Sequence, residues 1–175
     1  MKKIVLLSVL SVIGSFCLAQ EKNKMNLLDR LIGDYEVVSS ELTEKGWIKG
    51  EPTSSSIESV FDGRFLKEQT KHKTPNMELN MLVYIGYDSR VDQYKLTVMD
   101  KEYGIMDTYY GHLSGKSLMF TNMESDVPFV YQDGSEVHFR LTYEFTDSGI
   151  NLSVEGTKDK GESWFWFSKA TYRRL

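Results

Sequence analysis

The sequence predicts an all-β fold, an up-and-down antiparallel barrel of about ten strands with one short N-terminal helix capping one end. Three observations predict it. Apolar and polar residues alternate through one short run after another, the period of strands with one buried face. Turns rich in Asp, Gly, Ser and Asn separate the runs, and no insert of helix length between them would allow a parallel crossover. A sheet of that many twisted strands curls, and closure removes both exposed edges. A two-sheet sandwich with long cross-connections is the alternative topology.

Met25, Leu28, Leu31 and Ile32 fall at helical spacing between Asn26, Asp29 and Arg30, and Gly33 ends the pattern. From Tyr35 the period switches to strand. Gly46 to Ser56, with two glycines, Pro52 and a run of serines, reads as an exposed connection carrying one out-of-place Trp47. Ile57 to Phe61 and Arg64 to Lys71 form a hairpin across Asp62-Gly63, the pair suited to left-handed turn positions. Lys73 to Asn76 turns the chain into the clearest hairpin. Met81, Val83 and Ile85 alternate on its way in, Tyr94, Leu96 and Val98 on its way out, with Asp88, Ser89, Arg90 and Asp92 between them.

Gly104 to His112 and Lys116 to Thr121 continue the series. Asn122 to Gly134 is the longest interruption, and its apolar Pro128, Phe129, Val130 and Tyr131 predict a loop that packs on something. Val137, Phe139, Leu141, Tyr143 and Phe145 then alternate against polar neighbours, followed by Ile150, Leu152 and Val154. In the last strand, Ser163 to Arg173, Trp164 and Trp166 point one way and Phe165 and Phe167 the other. One face is expected to meet the lumen and the other the helix or a loop.

Lys2 and Lys3, the apolar run Ile4 to Ile13 and the small residues Cys17 and Ala19 predict a secretory signal peptide over residues 1–19. Residues 20–175 then make one domain, periplasmic or extracellular. Phe16 stands where a lipoprotein peptidase needs a small residue, so anchoring through Cys17 is disfavoured. Cys17 is the one cysteine, and a mature chain without it has neither disulfides nor thiol chemistry. Loss of Lys2 and Lys3 moves the formal charge from −4 to −6. An acidic chain with no basic cluster argues against nucleic acid and against an anionic membrane surface. No later stretch is apolar enough to span a membrane.

Three stretches carry a family resemblance: LIGDY at Leu31 to Tyr35, FDGRFL at Phe61 to Leu66, and GYDSRVDQY at Gly86 to Tyr94, with TYRR at Thr171 to Arg174 closing the chain. Together they resemble the calycin, or lipocalin-like, barrels, and more narrowly an uncharacterised bacterial family with that fold. The lipocalin pattern opens its first strand with glycine, any residue, then tryptophan, over which a basic residue near the last strand packs. Here Tyr35 replaces the tryptophan, and Arg173 or Arg174 is its expected partner. Gly33, Tyr35, Gly63, Gly86, Asp88 and Arg173 are the structural positions this reading marks. The resemblance implies an interior able to hold a small apolar ligand, and no established chemistry.

Catalytic motifs are weak, and no catalytic residue, metal ligand or cofactor is assigned. GHLSG at Gly111 to Gly115 has a nucleophile elbow's residues at the wrong spacing and reads as a hairpin turn. Asp88 to Asp100 lacks the central glycine of a calcium loop. His72, His112 and His138 are isolated, and His138 shares a face with Glu136, Arg140 and Glu144. Some lipocalin-like barrels bind haem through a histidine near the last strands, but Ser163 to Leu175 contains none. Haem binding is therefore a minor alternative.

The leading expectation is a secreted, non-enzymatic barrel that binds an apolar or amphipathic molecule. Met81, Val83, Leu96, Phe139 and Leu141 are expected to line it, with Tyr143, Leu152 and Trp166, while Phe129 and Tyr131 form a lid. Glu68, Tyr84, Asp107 and Tyr109 are candidate interior polar groups, through which a hydrophobic substrate could be acted on if the barrel is an enzyme. A surface-interaction protein or homodimer, docking through exposed Phe165, Phe167 and Trp47, is the reading from a different class.

Overall fold

The structure is a computed structural model that describes residues 24–175 apart from Asp126 and Gln132. The predicted leader, with Cys17, and the cleavage point before Gln20 lie outside the described residues. Residues 24–28 form one α-helical turn that continues as a 3-10 turn, Asp29–Leu31. Eleven strands follow among the described residues: β1 (Gly33–Thr43), β2 (Gly46–Val60), β3 (Phe65–Lys73), β4 (Glu78–Asp88), β5 (Gln93–Asp100), β6 (Ile105–Ser114), β7 (Ser117–Thr121), β8 (Phe129–Val130), β9 (Glu136–Thr146), β10 (Gly149–Thr157) and β11 (Phe165–Arg174).

Ten of them close an antiparallel barrel in sequence order, and the two-residue β8 adds to the edge of β9. Closure is made by β1 and β11, which pair from Tyr35 opposite Arg174 to Glu41 opposite Ser168. The sandwich alternative has no place in this topology.

The predicted hairpins are present. Phe61, Asp62 and Gly63 all have positive φ in the turn between β2 and β3, as the Asp-Gly pair requires. The predicted connection Gly46 to Ser56, in contrast, is strand throughout and pairs with β1. Its composition misleads because its inner face meets polar groups: Ser55 is buried and donates to the Glu68 carboxylate. The register slips between Val38 and Ser40, opposite the segment that carries Pro52, which is where a residue without an N–H is tolerated.

The helix closes one end. Met25, Leu28 and Leu31 are buried there, the Tyr94 hydroxyl donates to the Lys24 carbonyl, and Arg30 lies over the Phe145 ring. Below the barrel's waist Tyr35, Leu66, Ile85, Leu96, Leu118, Phe120 and Ile150 are buried and pack the interior. Aromatic and branched side chains of this size fill a small barrel without leaving a channel.

Arg174, not Arg173, is the residue over Tyr35, with its guanidinium 5.3 Å from the ring centroid. It donates to the Ile32 carbonyl at 2.8 Å, the Arg30 carbonyl at 3.0 Å and the Tyr35 hydroxyl at 2.9 Å. Arg173 points to the other face of β11 and pairs with Glu36, because neighbouring strand residues face opposite ways. Arg174→Ala is expected to lower stability by about 2 kcal/mol in urea denaturation, since three carbonyl or hydroxyl acceptors lose a charged donor at once. Arg174→Lys should recover less than half of that, because an ammonium cannot reproduce the planar fork.

Candidate functional site

Above the packed layer the barrel is hollow. A cavity of about 180 Å³ runs from Glu68 toward the open end. Val83, Val98, Leu141, Leu152 and Val154 form part of its apolar wall. It passes Tyr109, Phe129 and Phe139 into a wider groove of about 1190 Å³, bordered by β6, the 123–134 loop, Lys158 and Phe165.

The floor of the cavity is polar, and β3 supplies most of it. Leu66 lies inside the packed layer, so the strand's two-residue period also aims Glu68, Thr70 and His72 inward. The Ser55 hydroxyl donates to Glu68 Oε1 at 2.9 Å, while Glu68 Oε2 and Thr70 Oγ1 make no hydrogen bond although both are buried. Burial holds the Glu68 carboxyl above its usual range, outweighing the hydroxyl groups around it, that of Ser55 first.

His72 Nδ1 lies 2.9 Å from the Ser39 hydroxyl and Nε2 lies 3.1 Å from the Tyr172 hydroxyl. Burial pushes this imidazole down to about 4, so it is neutral near pH 7. Tyr172 and Tyr143 are raised by burial and then by the neighbouring Glu68, and Tyr109 is raised by burial and then by Asp107.

The geometry of Ser39 and His72 falls short of a nucleophile pair. Ser39 and His72 are hydrogen-bonded, but no carboxylate orients the ring's second nitrogen, and so weak a base does little to activate a hydroxyl. Among the described residues no three His, Cys, Asp or Glu side chains cluster as metal ligands.

Most of the sequence-predicted wall is brought together here: Met81, Val83, Phe139, Leu141, Tyr143 and Leu152 line the cavity. Phe129 stands at its mouth, with ring centroids 6.1 Å from Phe139 and 5.1 Å from Tyr131. Tyr131 faces only the outer groove. Leu96 belongs to the packed layer beneath.

Trp166 is outside. The pairing of β10 with β11 skips Phe167, and this bulge turns Phe167 inward against Phe139, at 5.3 Å, and Trp166 outward against Trp47, at 5.8 Å. The outer face of β11 therefore meets β2 through Trp47, and not the helix or a loop as expected.

Of the interior polar candidates, Glu68 and Tyr109 line the cavity. Asp107 sits in the outer groove, accepting from the buried Asn122 at 2.6 Å. Tyr84 is on the barrel's outer surface, because Val83 and Ile85 on either side of it point in. Asp88 holds the β4–β5 turn through Arg90 and Lys95, and Phe65 packs its ring where a Gly86 side chain would stand.

Sequence reasoning missed His72, Ser39 and Thr70. Lys71 and Lys73 flank His72 and read as surface, yet parity with Leu66 would have placed it inside. His112 is exposed, and His138 Nε2 is 3.5 Å from the Ser125 carbonyl oxygen.

Among the described residues no helix is long and apolar enough to cross a membrane. No curated protein matches the chain. The family described as "Protein of unknown function (DUF1579)" matches residues 20–174, and the chain belongs to that family.

Proposed function

We propose that the chain is exported and that its mature part, from Gln20, is a lipocalin-like carrier barrel for a small apolar or amphipathic molecule. The observation that carries this reading is the unfilled upper half of the barrel, an apolar-walled cavity of about 180 Å³ continuous with the groove at its mouth. An interior site is costly to keep open, since packed side chains contribute about 2 kcal/mol each on burial. The helix-capped half of the same barrel is packed solid, so the hollow is confined to the end that opens outward.

A cavity of this size is close to one of about 150 Å³ that takes up benzene in another protein, and below the roughly 300 Å³ of sites for drug-sized molecules. The cargo therefore seats one compact end inside. Its remainder would lie along Ile105, Val127 and Phe129, the first two of which are exposed apolar side chains in the mouth groove.

Native mass spectrometry of the protein purified from the envelope or medium of its own cells should show a bound small molecule. The Val154→Trp variant, which fills the cavity wall, should lose that mass while remaining folded. Identical spectra for the two proteins would overturn the reading.

A further inference from the structure

We propose that the cavity floor is a headgroup subsite for a primary ammonium group, so that the cargo enters amine first with its apolar or aromatic body behind. This deepens the carrier reading and rests on it.

Three observations point to the class of head. Glu68 Oε2 and Thr70 Oγ1 are buried polar atoms that make no well-formed hydrogen bond, two residues apart on the inward face of β3, with the Tyr172 hydroxyl beside them. A buried polar atom left unpaired costs about 1–3 kcal/mol, and a ligand N–H recovers it. The formal charge around the cavity is acidic, from Glu68 and Asp100. The nearby cation, Lys169, directs its ammonium out of the barrel, 4.2 Å from the centroid of the Trp47 ring. The third observation is the wall itself. Tyr109, Tyr143 and Tyr172 line the cavity, and aromatic rings are favourable neighbours for a cation.

A carboxylate head, as in a fatty acid, would instead meet Glu68 with no positive partner. A hydroxyl can pair with both oxygens, donating to Glu68 and accepting from Thr70, but brings no charge to set against the carboxylate. An ammonium reaches both, and burying its charge is tolerated only when it is paired and hydrogen-bonded, as Glu68 and Thr70 provide. Burial raises the Glu68 carboxyl in the empty barrel, and an incoming ammonium is the partner that draws it toward ionisation.

Calorimetric titration of the mature protein with toluene, benzylamine, benzyl alcohol and benzoate tests this, because all four bodies suit the cavity and only the heads differ. Benzylamine should bind with a Kd about tenfold or more below that of benzyl alcohol, and benzoate should not bind. Glu68→Gln should erase the preference for amine over alcohol, read as the ratio of their two Kd values, with toluene reporting any change in the wall itself. Should that variant fail to fold, Thr70→Val serves, with the affinity for amine relative to toluene several-fold lower.

Alcohol or benzoate binding as tightly as the amine, or an amine preference that survives Glu68→Gln, overturns the headgroup assignment. Toluene binding without amine binding also overturns it and leaves the carrier reading standing. If no probe binds and Val154→Trp changes nothing, both fall together.

Discussion

Replacing Phe120 by alanine lowers the free energy of unfolding by about 4 kcal/mol, read as a shift of the urea midpoint at unchanged slope. The ring is wholly buried on β7, stands edge-on to Tyr143 at 6.1 Å, and covers Gly111 of β6 so closely that a methyl group there would lie 2.3 Å from it. Backbone on one side and an aromatic ring on the other leave little freedom to collapse into the hole, which puts the cost toward the upper end for such truncations. Against a total stability of about 5–15 kcal/mol that is a large fraction. Phe120 does not line the cavity, so ligand affinity should be unaltered at temperatures where the variant remains folded. A loss below about 1 kcal/mol would mean that the helix-capped half of the barrel is not the packed layer described above.

That division into a solid half and a hollow half was only partly legible in the sequence. Alternation located β4, β5 and β9 well, because each has one apolar face, and the helix at Met25 to Leu31 was legible from its spacing for the same reason. The signal failed where the inner face is polar. Gly46 to Ser56 reads as loop because Ser55 serves a buried carboxylate and not an apolar core. His72 is hidden by the two lysines beside it, which project from the opposite face of β3. Trp166 was misplaced by a single inserted residue, since a bulge reverses every side chain beyond it and leaves no mark in the composition. Tyr84 needed only its neighbours' parity. The residues that make the site distinctive are thus polar, and polar residues carry little information about which face they occupy until the strand's register is known.

The buried polar floor makes stability depend on pH in two opposed ways, and substitutions should separate them. His72 titrates at about 4 in the folded protein against an ordinary value of 6.5, so between those values the unfolded chain binds a proton that the native barrel refuses. Stability therefore falls as the pH drops from about 6.5 to about 4, by up to about 3 kcal/mol. Glu68 acts with the other sign. Its carboxyl is raised above the ordinary 4.5, so the native state keeps a proton that the unfolded chain has released, and stability falls as pH rises through that value. In urea midpoints measured from pH 4 to 8, His72→Gln should flatten the acid side of the profile. Glu68→Gln should grow more stable relative to the natural protein as the pH climbs above 4.5. Because Gln costs each variant a fixed amount in lost packing, the change of slope is the informative quantity. Profiles parallel to that of the natural protein would mean that neither group is desolvated, and the polar floor would then be open to water instead of enclosed by the barrel.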